Sequence, residues 1–159
     1  MWQPTVVAMR RPWIILLGAV VVIGVIGVAA MYYLLPGELR PTQGAAAPNA
    51  TTQVINKGEY LARAGDCVAC HTHPGGREFA GGRAMPTPFG NLYVPNITPD
   101  EETGIGAWSP DEFYRMMHQG VSRDGTLLYP AMPFASYTKV TREDSDAIFA
   151  YLMSVPPVK

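Results

Sequence analysis

The chain of 159 residues is close to neutral, with 12 Lys and Arg against 13 Asp and Glu, and 48% of it is hydrophobic. That length allows one ordinary domain and an appendage. From residue 51 onward nine basic residues face twelve acidic ones, a balance that argues against nucleic-acid binding.

The appendage comes first. Residues 1–12 hold Arg10 and Arg11, and residues 13–35 follow as WIILLGAVVVIGVIGVAAMYYLL without one charge. As a helix such a run spans roughly 34 Å, enough to cross a bilayer. The positive-inside rule keeps the arginines in the cytoplasm, so the expectation is a single-pass membrane anchor with the remaining chain exported. Trp2, Trp13, Tyr32 and Tyr33 suit the two interfaces. A cleaved signal peptide is the competing reading, resting on the small residues Val28-Ala29-Ala30. Against it, the apolar run continues through Tyr32-Tyr33-Leu34-Leu35 and exceeds a usual signal core. Residues 36–50, with three prolines and few large apolar groups, read as a tether.

Residues 51–159 form the expected domain. A first helix is predicted from about Gln53 to Asp66, with Val54, Gly58 and Leu61 at i, i+4 and i+7. Thr72 to Ser109 follows, with twelve Gly or Pro among 38 residues and no sustained period, and reads as a long loop that needs something to wrap. A second helix opens at Ser109 as N-cap, with Pro110 in its first turn and Glu112 completing a capping box, and stops before Gly120. A third opens at Thr141 and Asp144, carries Ile148, Tyr151, Leu152 and Val155 on one face, and stops at Pro156-Pro157. No strand is predicted, so the domain is expected to be all-α.

Both cysteines of the chain lie in Cys67-Val68-Ala69-Cys70-His71, a C-x-x-C-H motif of the kind that attaches haem c. Cysteines three apart at a helix end share a face, so both sulfurs reach the vinyl groups of one porphyrin and the next residue falls at the iron. On this reading Cys67 and Cys70 carry one covalent haem c and His71 is the proximal iron ligand. A redox pair fits poorly, because the motif is expected to close a helix rather than open one after a strand. A zinc site of Cys67, Cys70, His71 and His73 would be cramped.

The sixth iron position separates an electron carrier from a peroxidase or gas-binding protein. Met85 and Met132 are the loop methionines, and each precedes a proline. Met132, in Tyr129-Pro130-Ala131-Met132-Pro133-Phe134, is favoured as distal ligand because its prolines stiffen an extended approach. Met85 lies only 14 residues past His71. His118 or His73 would give a bis-histidine iron instead. Trp108, Tyr93, Asn96 and Arg83 are candidates for bonding a haem propionate.

The stretches GEYLARAGDCVACHT, PGGREFAGG, TPFGNLYVPNITPDEETGIGAW, DEFYRMMHQGVSRDG, LYPAMPFASYT and IFAYLMSVPPV, between Gly58 and Val158, carry a resemblance. This part of the chain resembles one haem domain of the class I cytochrome c subunits of membrane-bound alcohol, gluconate and aldehyde dehydrogenases of acetic-acid-type bacteria. The resemblance implies a helical cytochrome c fold whose first and last helices cross near Gly58 and Tyr151, and it makes Met132 the distal ligand. Those subunits commonly carry three haem domains, whereas this chain has one such motif and an N-terminal apolar run. The implied function is electron transfer, without substrate bonds, between a membrane-bound dehydrogenase or quinol-oxidising complex and the respiratory chain.

Overall fold

An unbroken apolar run has no polar face to place, and α1 takes it up as a 23-residue helix, Pro12–Leu34, opened by proline in its first turn. The computed structural model describes residues 12–34 and 50–159, and the chain divides into two units, Met1–Leu39 and Arg40–Lys159. Trp2, Arg10, Arg11, Leu35 and the tether over 36–49 lie outside the described residues. Side chains of α1 such as Ile23 and Val28 are exposed within their own unit. They are described without a break only over 15–31, and among the described residues no helix is long and apolar enough to cross a membrane.

In the second unit α2 runs over Thr52–Ala64, with the Thr51 side chain accepting from the Val54 N–H. The predicted helix to Asp66 is corrected at its end. The Gly65 N–H closes on Leu61 O at 2.8 Å, and Asp66 then adopts a left-handed φ of 63°. The cysteines therefore do not close α2 but start a separate turn, α3, at Cys67–Cys70.

α4, Pro110–Gln119, forms as its sequence predicts. The Ser109 side chain accepts from the Glu112 N–H at 3.2 Å, the Glu112 carboxylate accepts from the Ser109 N–H at 2.7 Å, and Gly120 ends the helix at φ 64°. A short α5, Phe134–Tyr137, was not predicted. α6, Arg142–Leu152, opens with Thr141 accepting from the Asp144 N–H and ends before the predicted Pro156-Pro157 stop. There the Ser154 hydroxyl donates to Tyr151 O at 2.6 Å, which leaves Val155 beyond the helix but packed on the core.

The all-α expectation is also corrected. Two short strands, β1 (Ala84–Thr87) and β2 (Gly90–Tyr93), pair antiparallel, Ala84 with Tyr93 and Thr87 with Gly90. The Thr87 hydroxyl makes the turn by donating to Gly90 O at 2.6 Å and accepting from the Phe89 N–H at 3.2 Å. Pro86 is tolerated because both strands of a two-stranded ribbon are edges.

The core sits where α2 crosses α6. A Cβ on Gly58 would lie 1.9 Å from Ala147 O and 2.8 Å from the Tyr151 Cβ, so only glycine permits this approach, and the crossing falls where the resemblance implies. α4 joins through Phe113 against Phe149, ring centroids 5.3 Å apart. Phe79 folds in from the loop after α3, 1% exposed and edge-on to Tyr151 at 5.8 Å. From the same loop side Asn96 acts as a strap. Its amide nitrogen donates to Thr103 Oγ1 and Val158 O, and its oxygen accepts from the Thr98 N–H and hydroxyl.

Candidate cofactor site

The left-handed break at Asp66 turns the chain so that α3 presents both cysteines to one side, and His71 caps it with its N–H on Cys67 O at 2.9 Å. Cys67, Cys70 and His71 all line a cavity of about 400 Å³. Met132 lines it too, from the segment before α5, together with Ile97, Trp108 and Leu152. The lining is overwhelmingly apolar, and Asp66 is the one carboxylate among the described lining residues.

The His71 imidazole is oriented by a contact that sequence reading did not foresee. Its Nδ1 lies 2.8 Å from Pro95 O, and a carbonyl can only accept, so Nδ1 carries the proton and Nε2 keeps its lone pair. Pro95 is held in turn at the base of the hairpin, where the Val94 N–H donates to Arg83 O and the Gly82 N–H to Val94 O. Gly81, at φ 73°, backs onto it so closely that a Cβ would sit 2.5 Å from the Pro95 carbonyl carbon. Burial lowers the His71 pKa below the ordinary imidazole value and so favours the neutral ring a metal ion needs, while the Pro95 bond opposes that shift. Nothing periodic marks Pro95 as a partner, since its role comes from a turn that brings residues 24 apart together.

Burial acts on Cys67 in the opposite sense for reactivity, pushing the thiol up to about 11, with the neighbouring Cys70 adding to the shift. A sulfur so reluctant to become thiolate suits thiol–disulfide exchange poorly, and the two cysteines are not disulfide-bonded. Among the described residues no three His, Cys, Asp or Glu side chains converge to hold a metal ion, so the weighed zinc tetrad does not form.

Four methionines reach the cavity: Met85 from β1, Met116 and Met117 from α4, and Met132. Met116 and Met117 are 8% and 3% exposed and belong to the core cluster, while Met85 pairs with Leu92 across the hairpin. Met132 is half-buried, with its N–H on Tyr129 O and its carbonyl accepting from the Phe134 N–H. His118 is outside the lining, its Nδ1 3.0 Å from Tyr114 O and its Nε2 2.8 Å from Val140 O. His73 is exposed and also outside it.

Of the propionate candidates, Trp108, Tyr93 and Asn96 line the cavity. The Asn96 amide is already engaged on both ends, and the Arg83 guanidinium donates to Ala69 O at 2.9 Å. The chemistry of this donor set, two sulfurs and an oriented imidazole on one wall of an apolar cavity with a thioether also on its lining, fits a flat apolar cofactor attached covalently at its edge.

Comparison with known proteins agrees with that chemistry. Residues 53–152 match the family described as Cytochrome C oxidase, cbb3-type, subunit III. The gluconate 2-dehydrogenase cytochrome c subunit of Pantoea cypripedii is 54% identical over 110 residues, covering 69% of this chain and 25% of that protein. The cytochrome c subunit of the quinone alcohol dehydrogenase of Gluconacetobacter polyoxogenes is 45% identical over 131 residues, 82% of this chain and 27% of its own length. A diheme cytochrome c-type protein of Cereibacter sphaeroides is 34% identical over 111 residues, 67% of this chain and 38% of its length. The chain thus spans about a quarter of the first two relatives and well under half of the third.

Proposed function

The chain belongs to the family of Cytochrome C oxidase, cbb3-type, subunit III, a cytochrome c family and so one of covalent haem c, and from that premise we propose a membrane-anchored monohaem electron carrier. The observation that carries the reading is the convergence of Cys67, Cys70, His71 and Met132 on one apolar cavity. Cys67 and Cys70 would hold the group through thioethers, and His71 Nε2 and the Met132 sulfur would bind its iron. When bound, the haem supplies one-electron redox chemistry and no substrate bond. The polypeptide fixes the His71 tautomer through Pro95, excludes water with the walls from Ile97 to Trp108, and offers a thioether that favours the reduced state.

The count of one haem rests on the single C-x-x-C-H motif. The anchor rests on the uncharged run behind Arg10 and Arg11 and on the 23 residues of α1, and it would place the haem domain on the periplasmic face of a bacterial inner membrane. Confinement there raises the effective concentration of the carrier near membrane partners. For those partners the names of the relatives favour a dehydrogenase; we infer a membrane-bound one, or a quinol-oxidising complex, as donor and the respiratory chain or its terminal oxidase as acceptor.

The ligand pair is testable in the purified holoprotein. Met132→Ala should abolish the weak red charge-transfer band of sulfur-to-iron ligation, lower the reduction potential and open the reduced iron to carbon monoxide. Met85→Ala should leave all three nearly unchanged. The reverse pattern would move the ligand to Met85. Carbon monoxide binding by the unaltered protein as fast as by Met132→Ala would favour the peroxidase or gas-binding alternative.

A further inference from the structure

The segment that carries Met132 is folded mostly on itself. The Met132 N–H bonds Tyr129 O at 3.1 Å, the Ser136 N–H bonds Pro133 O at 2.8 Å, and the Val140 N–H bonds Tyr137 O at 3.0 Å. Bonds of this kind shape a loop without saying where it stands. Its position relative to the cysteine side depends on contacts that leave the segment, and two of them are made by side chains to backbone carbonyls.

The Tyr137 hydroxyl donates to Gly65 O at 2.8 Å, two residues before Cys67. Three residues further on, Val140 O lies 2.8 Å from His118 Nε2 on α4. Tyr137 itself lines the cavity, and its ring lies beside Gly65, the Cε1 atom 3.8 Å from where a Cβ would be. A Cβ at the same place would be equally far, 3.8 Å, from the Cys67 sulfur. One phenol therefore joins the methionine-bearing segment to the cysteine-bearing one along the cavity edge.

We propose that Tyr137 is a positioning residue that clamps the Met132 segment against the Cys67 side of the cavity, with His118 anchoring the same end of the segment through Val140. This rests on the reading of Met132 as distal ligand. A thioether is a weak ligand whose bond to iron is easily lost if its loop swings away, so the groups that hold the loop decide how often the sixth position opens. Removing the Tyr137 hydroxyl while keeping its ring costs one hydrogen bond to a backbone carbonyl, which should raise the population of the sulfur-dissociated form roughly 3- to 10-fold.

The test uses the full-length holoprotein in detergent and the variant Tyr137→Phe. Carbon monoxide should bind the reduced variant roughly 3- to 10-fold faster than the unaltered protein. In a urea titration the red charge-transfer band should vanish at a lower concentration, while the loss of far-ultraviolet dichroism shifts less. His118→Gln should move both readouts in the same direction. The proposal is overturned if Tyr137→Phe leaves carbon monoxide binding and the band midpoint unchanged, or if band and dichroism midpoints fall together, which would make the bond a matter of general stability. If the band survives Met132→Ala, the ligand assignment is wrong and the clamp falls with it, a failure visible without the tyrosine variant.

Discussion

The α2–α6 crossing and the cavity wall are built on opposite terms. At the crossing, backbone meets side chain and backbone so closely that a single methyl at Gly58 would lie 1.9 Å from Ala147 O. The wall formed by residues 72–109 and the segment before α5 instead curves round a cavity of about 400 Å³ and is tied by bonds to individual carbonyls. Protein packed on protein needs no third party, whereas a wall round a cavity is complete only with its occupant. The frame and the site should therefore fail separately.

The largest expected effect tests the frame. Gly58→Ala puts a methyl where backbone stands, and separating two helices from such a contact should cost about 3 kcal/mol or more, measurable as a lower urea midpoint. A variant as stable as the unaltered protein would break the contrast, since it would show that the crossing has slack. Next comes the wall. With Cys67→Ala and Cys70→Ala together, amides such as Gly81, Ile97 and Ile105, bonded to His71 O, Phe79 O and Thr98 O, should lose hydrogen-exchange protection well before amides of α2 and α6. Uniform loss across both regions would mean that frame and wall form one cooperative unit.

The smallest effect lies on the surface of the frame, where Lys57 of α2 meets Glu143 at 2.7 Å and Asp144 at 2.8 Å at the start of α6. The bond from Lys57, then that from Thr141, holds the Asp144 carboxyl below its ordinary value of 3.8. A lowered folded-state value means the stabilisation is complete above that ordinary value and is lost as pH falls through the lowered one. Lys57→Met should therefore flatten the acid limb of the stability profile slightly, with the difference shrinking as salt is added. A difference that persists at high salt would point to packing of the lysine stem instead.

Legibility in the sequence divides along the same line. Ser109, Glu112 and Gly120 bound α4 as read, and Thr141 opens α6, because caps act within a few residues. Gly58 was legible as part of a helical face, but its close approach to Ala147 was not, since that depends on a residue in another helix. The hairpin was missed because four-residue strands are too short to show alternation and Pro86 argues against a strand. Its signal was the turn, Thr87-Pro88-Phe89-Gly90. At the site the cysteines, His71 and Met132 could be named from spacing and flanking prolines. Pro95, Gly81 and Tyr137 could not, because each acts through a backbone atom that carries no sequence signature.

Cys67, Cys70, His71 and Met132 all lie in the chain between the contacting residues Gly58 and Ala147, which makes the crossing a clasp on one large loop. Closing so long a loop is slow, while its entropic cost grows only by about 0.6 kcal/mol per doubling of length. The same topology runs in reverse. Once the 11 residues of α6 peel away from α2, the segments in between keep only ties to one another, such as that of Tyr137 to Gly65, and the loop opens more easily. The lifetime of the assembled site is then set by how often this clasp releases, an unfolding rate rather than a binding constant. Substitutions that strengthen the α2–α6 contact should therefore prolong the survival of the red charge-transfer band on heating without touching any residue that faces the cavity.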